Sequence, residues 1–197
     1  MRPHSILEQP AVYRLKTRLL SLGRRSVYSY LASIAASLPE GPVLDAACGT
    51  GAHVPAFSQT VFGFDTNPRY LEYARVHSPG RFCAMDAAQL GFPENTFALA
   101  FAVGLCHHLP DAAVRHVARE MKRVTGPGGR VLIIEGVYPP YRLHPGGLLF
   151  RLDRGAYTRT AEHIGRLLHK EGLVCAVSNL PHSFPYHRAV FSFDKPA

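Results

Sequence analysis

Asp45, Asp65 and Asp86 are the residues whose type and place first suggest chemistry. Each follows a short apolar run, and Ala47-Cys48-Gly49-Thr50-Gly51 comes directly after the first. A strand that ends in an acid and turns through glycines into a helix is a ligand-binding arrangement of open α/β sheets. Ligands there settle at the carboxyl ends of the strands, and glycine lets the backbone approach them closely. The loop is not shaped for phosphate. Counted from Gly49, a dinucleotide fingerprint needs a third glycine at position 54, where the chain has Val54, and no Gly-Lys-Ser/Thr of a P-loop follows. A nucleoside without phosphate is left. Asp65 stands where a carboxylate accepts both ribose hydroxyls. Asp86 can accept from an adenine amino group, and Asp45 from an ammonium, directly or through water. Singly, a glycine pair shapes many turns and an Asp after a strand more often caps a helix. In this order and spacing the three acids form one constellation.

The elements that must position these acids follow from the apolar pattern. Val43 and Leu44, Val61 to Phe64, Arg81 to Met85, Phe97 to Val103 and Arg130 to Glu135 read as strands, the fourth apolar throughout as a strand covered on both faces is. Helices are predicted over Pro68 to His77 and Asp111 to Val124, with Gly126 to Gly129 ending the latter, and over Thr160 to Glu171, with Gly172 as its cap. Leu173 to Ser178 and Arg188 to Phe193 are the last two strands. Before them all, Val12, Leu15, Leu19 and Leu22 recur at helical spacing, and a second helix runs from about Arg24 to Leu38. Strand–helix alternation of this kind implies a parallel sheet with helices on both faces. The stretch from Val137 to Leu149 is long for a plain connection, and long loops in compact domains tend to be functional.

VLDAACGTG at 43–51 resembles the first motif of class I S-adenosylmethionine (SAM)-dependent methyltransferases. GFDTNP at 63–68 resembles their second-strand motif, and MDAAQLGFPENTFALAFAVGLCHHLPD at 85–111 the stretch from adenine site to fourth strand. REMKRVTGPGGRVLIIE at 119–135 is similar to the helix and strand that follow. The likeness is to the broad group called type 11 methyltransferases and is close over about residues 40 to 136. FRLDRGAYTRT at 150–160 and FPYHRAVF at 184–191 are similar, more loosely, to a bacterial subgroup found among surface-polysaccharide and metabolite-modification genes.

The resemblance implies a single domain over 1–197 with a Rossmann-like, seven-stranded, mostly parallel sheet whose last strand is antiparallel. Residues 1–39 would form a helical cap, 40–136 the SAM-binding core, and 137–197 the substrate side. It implies SAM as cofactor and S-adenosylhomocysteine as product, with Asp45, Ala47, Gly49, Gly51, Asp65, Thr66, Asp86, Ala87 and Val103 at the binding site and no metal. One residue departs from the pattern: the family usually has Gly where this chain has Ala47, and a Cβ there strains the turn if that residue needs a positive φ.

Methyl transfer is an in-line displacement, so the protein must mainly align the acceptor and exclude water. A hydroxyl acceptor also needs a base. His108 and His107, directly after the fourth strand, are the candidates, with His108 favoured; the plainer alternative is that they cap or fill space. Tyr13, Tyr138, Tyr141, His144, Arg154, Tyr157 and Arg159 are candidates for the acceptor pocket. Arg154 and Arg159 could clamp a phosphate or carboxylate, or Arg154 could pair with Asp153 or Glu162 and pin the loop. No N-P-P-Y or D-P-P-Y follows the fourth strand, which argues against an adenine-N6 acceptor, and Cys106 reads as a buried hydrophobe before it reads as a nucleophile.

Composition narrows the classes further. The chain carries 22 basic against 14 acidic residues and a formal charge of +8. Much of the excess is early: Arg2, Arg14, Lys16, Arg18, Arg24 and Arg25 face only Glu8. Such a surface suits an anionic partner or simply solvates a helix. The four cysteines form no C-x-x-C pair, so neither a zinc knuckle nor a dithiol site is indicated. With no apolar signal core and no membrane-length run, the expected setting is the cytoplasm and membrane insertion is not expected. The leading reading is an enzyme that methylates a small metabolite or saccharide, anionic ones included, at oxygen. A methyltransferase acting on RNA or DNA is second, since aromatics are sparse along the basic run. A SAM-binding module without turnover is third.

Overall fold

The computed structural model describes residues 21–138, 156–181 and 187–197. Residues up to 20 of the predicted first helix, Tyr13 included, and the segment holding Tyr141, His144 and Arg154 lie outside them; Leu22, the last of its apolar positions, falls instead in one helix that runs on through Gly23. In chain order the elements are α1 (Ser21–Ala35), β1 (Val43–Ala46), β2 (Val61–Asp65), α2 (Pro68–His77), β3 (Arg81–Ala84), β4 (Phe97–Val103), α3 (Asp111–Val124), β5 (Thr125–Gly136), α4 (Ala161–Lys170), β6 (Ala176–Asn179) and β7 (Arg188–Asp194). Short 3-10 turns lie at Val54–Ala56 and Cys106–His108.

The strands form one sheet in the order β3-β2-β1-β4-β5-β7-β6. β1 to β5 pair in parallel, and β7 lies between β5 and β6, antiparallel to both. This is the predicted architecture, antiparallel last strand included. Alternate residues of each strand serve two apolar layers, because side chains on a strand point to opposite faces. Leu44, Ala100, Ala102, Val131 and Ile133 pack with Val114, Val117 and Met121 of α3. Val43, Leu99, Phe101, Leu132 and Ile134 face the other way, with Val27 and Leu31 of α1. Burial on both faces is why these strands read as unbroken apolar runs. Among the described residues, no helix is long and apolar enough to cross a membrane.

Caps fix the helices close to their predicted bounds. The Asn67 side chain accepts from Arg69 N–H at 3.0 Å ahead of Pro68, and Thr160 Oγ1 accepts from His163 N–H at 3.3 Å. Two strands differ from expectation. β5 begins at Thr125: Phe97 pairs with Thr125 while Leu99 pairs with Arg130, so the glycine-rich residues between are taken up as an irregularity inside the strand. Gly129 is required there, since a Cβ would sit 2.8 Å from the Ala98 carbonyl oxygen. β6 begins at Ala176, not Leu173. Leu173 is buried, its N–H bonds to Leu168 O at 3.1 Å, and Gly172 before it has φ +71°. The leucine is thus the apolar anchor of a helix-ending motif.

Candidate active site

β1 has β2 on one side and β4 on the other, so the chain reverses its direction of travel across the sheet at β1. A crevice opens at such a switch point, beyond the carboxyl ends of the strands. Here it is a cavity of about 470 Å³. The turn after β1 supplies Ala47 and Gly49, the end of β2 and its turn Asp65, Thr66 and Asn67, the turn after β3 Met85, Asp86 and Ala87, and the end of β4 and its turn Val103, Gly104 and Leu105, with His108 beyond. The ends of four strands therefore converge on one space. Its pattern, a glycine loop at the switch point with an acid after the neighbouring strand, is that of a nucleoside-binding Rossmann-like domain.

The loop after β1 holds its shape through three residues of positive φ: Ala47 at +61°, Gly49 at +54° and Gly51 at +71°. At Ala47 the left-handed backbone carries a Cβ, which costs about 1 kcal/mol. Gly49 and Asn67 donate their N–H groups to the two oxygens of Asp65, at 3.0 and 2.8 Å. Each oxygen keeps a second acceptor site, and the carboxylate lies on the cavity wall. Asp86, exposed, accepts from Ala88 N–H at 2.8 Å through one oxygen. Gly51 is off the cavity wall; a Cβ on it would meet Ser78 Oγ at 2.8 Å and Phe82 at 3.0 Å, so its part is to let the loop pack on the far side.

Asp45 lies below the loop and is 1% exposed. Neither of its carboxyl oxygens meets a hydrogen-bond donor. Burial pushes the Asp45 carboxyl well above the usual carboxylate range, and the nearby charge of Asp65 adds to the effect. Burial likewise raises the Cys48 and Cys106 thiols far above their usual value, with Asp45 contributing at the first and Glu135 at the second. Both thiols are therefore poor nucleophiles.

On the opposite side of the cavity the chain leaves β4 through Gly104, at φ +67°, into the Cys106–His108 turn. His108 lines the cavity. His107 does not: its Nδ1 meets Glu135 Oε1 at 2.6 Å, behind the wall. Arg159, expected to clamp an anionic group, is buried and fully engaged inside the protein. Its Nε and one terminal nitrogen bond to Asp111, and its remaining hydrogens go to the carbonyls of Cys106, Tyr157 and Leu109, all within 2.9 Å. That accounts for the five N–H donors of a guanidinium. It fastens the segment before α4 to the histidine turn. Tyr157 and Tyr138 are exposed beside this strap: Tyr157 N–H donates to His107 O and Tyr138 N–H to Arg159 O, each at 3.0 Å.

Residues that the sequence did not single out include Asn67, Tyr70, Met85 and Leu105 on the wall, and Glu135 behind it. For Glu135 a signal existed, since an acid closes the otherwise apolar run Val131 to Ile134. Its partners, 28 and 29 positions away, left no local trace.

Comparison with known proteins agrees with this geometry. Residues 43–129 match the protein family described as "Methyltransferase domain". The ubiquinone/menaquinone biosynthesis C-methyltransferase UbiE of Burkholderia mallei is 33% identical over 140 residues, which cover 62% of this chain and 55% of that protein. The chain thus spans about half the length of the curated relatives it matches. Solved structures share the fold, two among them as follows. Geranyl diphosphate methyltransferase in complex with SAM aligns at a TM-score of 0.71 and 15% identity, over 85% of this chain and 84% of that one. The candidate methyltransferase solved with the Haloferax volcanii Trm112 methyltransferase activator aligns at 0.73 and 16%, over 95% and 96%. Residues 43–129 therefore match a methyltransferase domain, and the fold around them is shared by a methyltransferase solved with SAM.

Proposed function

We propose that the protein transfers a methyl group from SAM to a small-molecule acceptor, at oxygen, in the cavity between the β1–β4 strand ends and the histidine turn. The observation that carries this reading is the cavity itself, which puts Asp65 and Asp86 on one side and His108 on the other. When bound, SAM supplies an electrophilic methyl on a positively charged sulfur. The chain's residues fit the rest of it. Asp45, buried with both oxygens lacking donors, suits the ammonium of the amino-acid end. Asp65, with acceptor capacity left on each oxygen, suits the ribose diol, and Asp86 the adenine amino group. Ala47 and Gly49 bring the backbone close, while Thr66, Ala87 and Val103 complete the walls. His108 then faces the acceptor and receives its hydroxyl proton, and exposed Tyr138 and Tyr157 flank the approach.

The name of the Burkholderia relative favours a second reading, transfer to carbon, in which the same histidine ionises a ring hydroxyl and so activates a neighbouring carbon. A thermal-shift titration with SAM and with S-adenosylhomocysteine, followed by transfer of labelled methyl to a panel of phenols, glycosides and RNA, tests the proposal. Both ligands should stabilise the protein, by about 2.7 kcal/mol at a hundred times Kd, and label should reach the small acceptors. No shift with either ligand, or label on RNA alone, would overturn it.

A further inference from the structure

We infer that Glu135, acting through His107, is the charge that lets the histidine turn take up the acceptor's proton, an inference that rests on the reading above. Glu135 ends β5 at 1% exposure, and its carboxylate bonds to the turn and to its own strand end. Oε2 accepts from Cys106 N–H at 2.6 Å. Oε1 accepts from Gly136 N–H at 2.9 Å and meets His107 Nδ1 at 2.6 Å. A carboxylate only accepts, so the hydrogen in the last contact belongs to Nδ1. Proton exchange by His107 then falls to Nε2. The His107 ring lies against that of His108, with centroids 4.0 Å apart and planes at 44°, and His108 forms the cavity wall. Two imidazoles this close resist ionising together and take up one proton as a pair.

The charged groups around the turn come from several elements. β5 contributes Glu135. The segment before α4 contributes Arg159, whose guanidinium is held against Asp111 of α3. His163 of α4 bonds the other oxygen of Asp111 at 2.9 Å. Across the cavity stand Asp65 and Asp86. The Cys106 thiol is held neutral, chiefly by burial. Arg159 and Asp111 offset each other in place, and Glu135 is a buried charge bonded directly to His107, where low polarity makes it most effective.

The transfer itself shows why a charge belongs there. The acceptor oxygen bonds the methyl carbon as the carbon–sulfur bond breaks. The sulfur keeps that electron pair and becomes a neutral thioether, and the acceptor's proton passes to the histidine pair. One positive charge is lost at sulfur and one appears on the imidazoles. A fixed anion behind the imidazoles favours the second location. Glu135 touches no reacting atom and is a positioning residue.

The test needs no acceptor. Imidazole NMR signals of His107 and His108 are titrated with pH in the SAM complex and in the S-adenosylhomocysteine complex. The sulfur charge, present only in the first, should lower the pair's apparent pKa there by roughly one unit relative to the second, and nitrogen shifts should place the neutral His107 hydrogen on Nδ1. In Glu135→Gln with S-adenosylhomocysteine, the pair's pKa should fall by a similar amount. Equal titrations in the two complexes, or a hydrogen on Nε2, would overturn the inference alone. Failure of both ligands to bind overturns the methyltransferase reading and this inference with it. Should Glu135→Gln not fold, the two complexes of the unaltered protein still decide.

Discussion

Asp45 and Glu135 are both acids at 1% exposure, at or near the carboxyl ends of β1 and β5 in the same sheet, and their surroundings could hardly differ more. Glu135 has two backbone N–H groups and an imidazole at its oxygens. Asp45 has none. A buried acid that the protein satisfies is part of the structure, while one that it leaves unsatisfied weakens the structure and is suited to a partner from outside. The first holds the histidine turn in shape. The second, in the reading proposed above, is completed by a ligand's ammonium.

This contrast can be broken most forcefully at Glu135. Glu135→Ala strips Cys106 N–H, Gly136 N–H and His107 of their acceptor, and should destabilise the protein by about 3 kcal/mol in urea unfolding. A loss under about 1 kcal/mol would remove Glu135 from the framework. Asp45→Asn should act in two opposed ways. SAM affinity measured by calorimetry should fall by roughly 10- to 100-fold, the worth of a charge-assisted bond. The ligand-free protein should gain about 1 kcal/mol at pH 8, because a buried ionisable group with no partner has gone. A variant that loses stability would show Asp45 to be structural.

The pH dependence sharpens the same contrast. Folded Asp45 holds its proton above the ordinary carboxylate value of 3.8, so the folded state binds more protons than the unfolded state over that window. The ligand-free protein must therefore lose stability as pH rises from about that value towards the folded one, and below it the term vanishes. The gap between Asp45→Asn and the unaltered protein should open with rising pH. An ammonium placed against Asp45 favours its ionised form, so SAM binding should release protons, read as a dependence of binding heat on buffer identity. The smallest effect is expected at Ala47. Ala47→Gly relieves strain of about 1 kcal/mol but loosens the unfolded chain, for a net gain near 0.5 kcal/mol and a rise in Tm of about 1–2 °C.

The glycine-loop side of the cavity was legible in the sequence because its grammar is local. An acid, a glycine turn and the next strand's acid all fall between Asp45 and Asp65, and the helix after Asn67 begins where proline and the cap require. Even the awkward residue, Ala47, could be named before its φ was known. The surroundings of the histidine turn are assembled from distant pieces. Arg159 reads as a clamp until the carbonyls of Cys106, Leu109 and Tyr157 are brought around it, and Glu135 reads as a strand end until His107 arrives. Leu173 misled for a related reason: an apolar residue after a helix can belong to its cap or to the next strand, and only Gly172's backbone decides.

The placement of β7 also sets an order of events during synthesis. Every described residue lining the cavity lies at or before Leu109, yet β5 pairs along Arg130 to Gly136 with Arg188 to Asp194. While Arg188 to Asp194 are still inside the ribosome, the strands that make the cavity have already emerged and β5 is an open edge, the kind of surface that recruits another strand. A nascent chain stalled at that length is therefore the form in which chaperone association should be strongest, and its release should coincide with the arrival of β7.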